Sequence, residues 1–180
     1  LHFTGSYQKT FYEVSNLYNT NKFYFSKSLL HWYDSNKRDL PWRKTNDLYK
    51  IWLSEVMLQQ TRVDTVVPYY LQWVEKYKSI RSVAKADYQK LLKLWEGLGY
   101  YSRCKNFHKA CIITANDYDG EIPSDYLKFR ALPGVGDYIA SAVFSIGLKQ
   151  TYPAIDGNVK RVMARVLRIK NITNFLSMII

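Results

Sequence analysis

Two carboxylates hold the strongest promise of chemistry in this sequence. Glu55 lies within Trp52-Leu53-Ser54-Glu55-Val56-Met57-Leu58, one helical turn from both Ile51 and Leu58. A carboxyl in such apolar surroundings is hard to ionise, because desolvation disfavours its charged form and raises its pKa. Asp156 precedes Gly157-Asn158 at the head of a predicted helix, an N-cap position where backbone amides and the helix dipole favour the charged form. Carboxyl groups pushed in opposite directions suit cleavage of a glycosidic bond. One stays protonated as the acid, and the other stays ionised beside a cationic transition state. Each residue also has a plainer reading: a buried Glu can pair or cap structurally, and Asp before Gly-Asn is common as a simple cap.

A second constellation is Leu132-Pro133-Gly134-Val135-Gly136. It joins a short helix ending near Arg130 to one running from Asp137 to about Ile146. Its glycines would let the backbone approach a ligand closely. The amides of Gly134, Val135 and Gly136, at the mouth of the second helix, would favour an anion such as a DNA phosphate. A phosphate contact of this kind positions a protein on DNA without reading sequence. The alternative is an ordinary turn between helices.

The elements that must position these residues all read as helices. Residues 23–33 fit a short helix through Phe25, Leu29, Leu30 and Trp32, and Asp39-Leu40-Pro41-Trp42-Arg43 is a proline-marked connection. The helix starting near Asp47 carries Tyr49, Trp52, Leu53, Val56 and Met57 on one face and Ile51 and Leu58 on the other; apolar nearly all round, it should be buried. After Asp156 come Val159, Val162, Met163, Val166 and Leu167, with Lys160, Arg161, Arg165 and Arg168 opposite. That stripe should be only partly covered, as should residues 23–32. No β alternation and no repeat interrupts the series, so the expected class is all-α.

Bulk properties narrow the partner. The chain has 180 residues and 26 Lys and Arg against 15 Asp and Glu, a formal net charge of +11. That excess suits a polyanion, and five Trp with sixteen Tyr offer faces for stacking on bases. The longest uncharged apolar region, Ile139 to Leu148, is too short to span a bilayer, so no membrane partner is expected. Cys104 and Cys111 lie seven apart on a predicted helix, too far for an easy disulfide and without a C-x-x-C partner. They read as reduced, structural residues of an intracellular protein with no metal site of its own.

Five strings now acquire a joint meaning. Arg38-Asp39-Leu40-Pro41-Trp42-Arg43, Trp52 to Thr61, Leu94-Trp95-Glu96-Gly97-Leu98-Gly99-Tyr100-Tyr101-Ser102-Arg103, Leu132 to Gly136, and Asp156-Gly157-Asn158-Val159 resemble MutY-type adenine DNA glycosylases of the helix-hairpin-helix, endonuclease III superfamily, in the family's order. The similarity covers about residues 28 to 168. It implies that Glu55 protonates adenine at N7, that Asp156 stabilises the oxocarbenium, and that Asn158 stands nearby in the active site. Tyr138 falls where bifunctional endonuclease III-type enzymes carry a lysine that attacks the sugar, which implies the hydrolytic, adenine-removing branch. Gln60 and Tyr100 match residues that wedge into the duplex, and Arg43 one that lines the adenine pocket. Thr61, Leu132, Gly134, Val135 and Gly136 complete the implied DNA- and substrate-binding set.

The resemblance implies a helix-hairpin-helix glycosylase fold: a six-helix barrel over 46–150, an incomplete second lobe from 23–45 and 151–180, and a loosely ordered segment 1–22. The implied partner is double-stranded DNA with adenine opposite 8-oxoguanine or guanine, bound by a monomer, in the nucleus or mitochondrion if the source is eukaryotic. The family continues with four cysteines, spaced C-x6-C-x2-C-x5-C, that hold a 4Fe–4S cluster, and then a domain that recognises 8-oxoguanine. This chain is read as truncated before both, without the cluster's ligands. Two alternatives stand beside the leading expectation: a bifunctional glycosylase/lyase, and a DNA-binding fragment without turnover.

Overall fold

The computed structural model describes residues 24–166. The segment 1–22, Leu167, Arg168 and the tail beyond them lie outside the described residues. The chain divides into two compact units after Asp39.

In the first unit, residues 24–36 form helix α1, which ends three residues beyond the apolar pattern. Its end is closed by side chains that reach back one turn, Asn36 Nδ2 donating to the Trp32 carbonyl (2.8 Å) and Ser35 Oγ to that of His31 (3.2 Å). The apolar residues Leu29, Leu30 and Trp32 are exposed, as expected for part of this helix.

The second unit begins with a 3-10 turn, Pro41–Arg43, and continues with α2 (Leu48–Leu58), α3 (Val63–Lys76), α4 (Ile80–Ala84), α5 (Tyr88–Trp95), α6 (Ser102–Asp117), α7 (Tyr126–Arg130), α8 (Asp137–Ile146) and α9 (Gly157–Val166). Among the described residues there is no strand, so the expected all-α class holds. Local chemistry starts several of these helices. The Asp47, Asp87 and Asp125 carboxylates each accept from the second and third amides of α2, α5 and α7, and Ser79 with Ser82 forms a capping box at α4. Such caps are worth about 1 kcal/mol each.

Helix α2 is the centre of the core, with its residues from Ile51 to Met57 all buried. Trp52 meets the rings of Phe107 (4.7 Å) and Phe129 (5.3 Å) edge-on, which ties α2 to α6 and α7. Tyr49 stacks near Phe107, and its hydroxyl donates to the Tyr77 carbonyl (2.7 Å) while accepting from Trp73 Nε1 (3.0 Å). Each such aromatic contact adds roughly 0.5–1.5 kcal/mol to the burial it accompanies. A polar side chain on α2 is therefore held by a rigid element; Ser54 spends its hydroxyl on the Ile51 carbonyl, and Glu55 is the buried carboxyl.

Helix α9 carries its apolar stripe only partly covered, as the sequence leads one to expect. Its buried residue is Ala164, while Val159, Val162 and Val166 stay exposed, Val162 at 52%. Of the stripe's four described residues, three are exposed and only Met163 is half-buried, as the expectation of partial cover requires. No helix among the described residues is long and apolar enough to cross a membrane.

Candidate active site

A cleft of about 720 Å³ opens at the C-terminal end of α2. Of the residues singled out by sequence, Glu55, Gln60, Thr61, Tyr100, Tyr138, Asp156 and Asn158 line it. Arg43, the exposed residue of the 3-10 turn, does not, nor do Leu132, Gly134, Val135 and Gly136. Gly134 instead lines a smaller neighbouring cavity of about 170 Å³, which shares Gln59, Ser102 and Arg103 with the first.

Glu55 is 8% exposed. Burial pushes its carboxyl above the ordinary glutamate value, the nearby Tyr138 hydroxyl pulls it part of the way back, and the negative charge of Asp156 raises it again. Tyr138, in the first turn of α8, is itself pushed up by burial and by the same two carboxylates. Removing its hydroxyl should therefore lift Glu55 further. We expect Tyr138→Phe to raise the midpoint of the Glu55 carboxyl, followed by 13C NMR; an unchanged or lower midpoint would contradict the contact.

Asp156 is tied to the head of α9. Its Oδ1 accepts from the Val159 amide (2.7 Å) and its Oδ2 from Asn158 Nδ2 (3.1 Å), while its carbonyl accepts from the Lys160 amide (3.0 Å). Asn158 Oδ1 accepts in turn from Arg161 (3.3 Å), so the carboxylate, the amide and a cation form one chain. Asp156 is thus the N-cap that its sequence context predicts. The segment leading to it is steadied by Tyr152, whose ring lies parallel to that of Tyr126 at 4.4 Å.

The hairpin divides its glycines by purpose. Pro133 and Gly134 are the central pair of a turn closed by the Val135 amide donating to the Leu132 carbonyl (3.0 Å). Gly134 has φ +75°, and a Cβ there would meet Asn106 Cβ at 2.8 Å, so internal geometry alone demands glycine. At Gly136 a Cβ would meet nothing within 4 Å, and the mouth of α8 is left open. The Val135 amide is consumed by the turn, and the Leu132 and Val135 side chains are buried in the core. Of the three amides expected at an anion, those of Gly134 and Gly136 remain.

Sequence reasoning assigned no part to Arg103, Arg62 or Ser102, which also line the cleft. Arg103 is only 8% exposed. Its Nη1 donates to the carbonyls of Val56 (3.1 Å), Met57 (2.6 Å) and Gln59 (2.7 Å), in the last turn of α2 and just beyond. Its Nη2 donates to Thr61 Oγ1 (3.0 Å) and to the carbonyls of Leu98 (3.3 Å) and Gly99 (3.0 Å), before α6. Each of these turns holds a non-glycine residue in the left-handed region, Gln60 at φ 53° and Tyr100 at φ 48°. Such a conformation costs on the order of 1–3 kcal/mol and persists only where the surroundings impose it.

Residues 53–175 match the family described as HhH-GPD superfamily base excision DNA repair protein. The chain belongs to that superfamily.

Similar proteins include adenine DNA glycosylases of Buchnera aphidicola subsp. Acyrthosiphon pisum, 40% identical over 152 residues (84% of this chain, 43% of that protein), and of Homo sapiens, 42% identical over 155 residues (81% and 28%). The chain thus spans less than half the length of these curated relatives. A solved structure of a thermostable thymine-DNA glycosylase superposes with a TM-score of 0.76 at 28% identity, covering 81% of this chain and 67% of that one. A non-covalent endonuclease III–DNA complex superposes with a TM-score of 0.74 at 21% identity, covering 87% and 73%, and bears on the fold alone. This HhH-GPD chain has the helical glycosylase fold that its strings imply.

The implied iron–sulfur cluster finds no fit in this HhH-GPD chain. Such a cluster is held by cysteine thiolates, four in the common case. The chain contains two cysteines, Cys104 and Cys111, both buried and unbonded on α6. Burial pushes the Cys104 thiol up to about 12 and the Cys111 thiol well above its ordinary value. Two protonated thiols in an apolar core are not cluster ligands, and among the described residues no group of three or more His, Cys, Asp or Glu could hold a metal.

Proposed function

We propose that this chain is the catalytic part of an adenine DNA glycosylase of base excision repair. It would hydrolyse the N-glycosidic bond of adenine opposite 8-oxoguanine or guanine in double-stranded DNA. One observation carries the reading: Glu55 and Asp156, 101 positions apart (156 − 55), line one cleft with Tyr138 beside both. The similarity to proteins named adenine DNA glycosylases, at 40–42% identity, supports the choice of base.

The chemistry follows from the two environments. A base must leave the stack to be excised, and the cleft receives it. Glu55, whose acid form burial favours, donates its proton to the departing adenine as the bond from sugar carbon to base nitrogen breaks. The bonding pair leaves with the base, and the sugar becomes an oxocarbenium. Asp156, which accepts N–H hydrogen bonds at both oxygens, places negative charge by that cation. Water then adds to the sugar carbon, and its surplus proton restores the Glu55 acid. The net reaction consumes one water and yields free adenine and an abasic sugar. Gln60 and Tyr100 stand at the cleft to fill the space that the base vacates, and the Gly134 and Gly136 amides, not spent on the turn as that of Val135 is, suit a backbone phosphate. A hydroxyl at Tyr138, rather than an amine, gives the sugar no Schiff-base partner, which favours hydrolysis.

Single-turnover incubation with a duplex holding adenine opposite 8-oxoguanine tests this reading. Free adenine with an intact strand, nicked only after alkali, is the expected result. Nicking without alkali would indicate a lyase, and binding without product would leave only a DNA-binding fragment.

A further inference from the structure

We propose that Arg103 is a positioning residue that sets the two lips of the cleft. Its guanidinium locks the turns bearing Gln60 and Tyr100 into the conformations that meet an opened duplex. The proposal rests on the glycosylase reading for its substrate, though not for its structural half.

The geometry is specific to this residue. A planar guanidinium offers donors in a fixed fork, which an ammonium cannot imitate. Here one nitrogen of the fork binds the end of α2, and the other binds both the Gly97–Tyr100 turn and the Thr61 hydroxyl. Nε completes the set, donating to the Tyr100 carbonyl at 3.4 Å. The guanidinium carbon also lies 5.3 Å from the centre of the Tyr100 ring and 5.5 Å from that of Trp95. Trp95 is fully buried, whereas Tyr100 is 57% exposed at the cleft. The cation is thus clamped between an anchored ring and a presented one. Of the non-glycine residues with positive φ among those described, Gln60 and Tyr100 are the two that line the cleft, and both flank this one side chain. Among the described residues the charge buried here has no ion-pair partner: it meets carbonyls, a hydroxyl and rings. Its work is to join two turns more than 35 positions apart in sequence, Gln60 and Tyr100 being 40 apart (100 − 60).

The consequence is a separation of effects. Loss of Arg103 should loosen how the enzyme grips and opens the duplex, and leave proton donation by Glu55 unchanged. Arg103→Lys tests this on the full chain, with three readouts. Amide exchange at residues 59–62 and 97–101 should accelerate about tenfold or more, while α2 and α8 exchange as before. Affinity for a duplex with 2-aminopurine opposite 8-oxoguanine should fall about tenfold, with a smaller fluorescence rise on binding, and this loss should nearly vanish in a Tyr100→Ala background. The pH midpoint of base release should not move. Unchanged exchange in both turns, or full additivity with Tyr100→Ala, would overturn the proposal. Should Arg103→Lys fail to fold, Thr61→Val removes one acceptor of the fork and should speed exchange in the same turns by a smaller factor; no effect there would equally overturn it. A parent chain that neither binds nor cleaves the duplex would sink the glycosylase reading, and the exchange data would still decide the role of Arg103.

Discussion

Glu55→Gln is expected to slow adenine release by about 10²–10⁴-fold, the usual contribution of a positioned general acid. The substitution is nearly isosteric, so the packing of Glu55 among the buried residues of α2 should survive it. What it removes is the transferable proton. The leaving adenine would then depart as an anion, or wait for a proton from water that the buried position excludes. Affinity for the adenine-containing duplex should stay close to that of the parent, because Gln60, Tyr100 and the hairpin are untouched. Single-turnover rates at saturating protein, with binding measured separately, check the two halves. A variant that retained the parent rate would remove Glu55 from the mechanism.

Asp156→Asn is expected to cost about 10²–10³-fold in the same assay, the scale seen when one preorganised electrostatic partner of a transition state is lost. This change separates function from fold with unusual clarity. Asn caps helices as well as Asp does, so the bond from the Val159 amide can persist with its carbonyl oxygen as acceptor. The lost charge at the head of α9 is worth only about 0.3–1 kcal/mol to the helix. Melting should therefore shift by a few degrees at most while the rate collapses. An unchanged rate would place the cation-stabilising charge elsewhere, and a collapse in melting would make Asp156 a structural cap first.

These expectations divide between what the sequence carried and what only three dimensions supply. The burial of Glu55 was legible because residues on both sides of its helix are apolar, which forces burial whatever the partner. The start of α9 was legible because Asp-Gly-Asn has a specific capping chemistry, and the start of α8 followed from the glycine turn before it. The hairpin was half legible. Its glycines mark a turn, yet sequence cannot tell a glycine required inside, Gly134 against Asn106, from one that opens the helix mouth, Gly136. Nor can it show that the Val135 amide is spent on the Leu132 carbonyl. Arg103 ends one of the five family-like strings and still has no role that its neighbours in sequence reveal. Its partners come from the end of α2 and the turn before α6, and no local period encodes such a meeting. Its one local trace is its place on α6 beside Cys104, Phe107 and Cys111, on the buried side of the helix. The valines of α9 were legible in both respects, since the helical stripe states which face is apolar and its exposure matches the partial cover expected of it.

The central claim is that a carboxyl held protonated by burial performs the excision chemistry beside a second carboxylate. The most direct test follows the Glu55 carboxyl by 13C NMR across pH, alongside the single-turnover rate of adenine release from duplex with 8-oxoguanine opposite. The sign is fixed by the raised pKa of Glu55, caused first by burial: the acid form, and with it the rate, persists above the ordinary glutamate range and is lost as pH rises through the shifted midpoint. The account predicts one midpoint for both curves, above the ordinary glutamate value. A Glu55 carboxyl that titrates in the ordinary range, or a rate that stays level while Glu55 loses its proton, would contradict it.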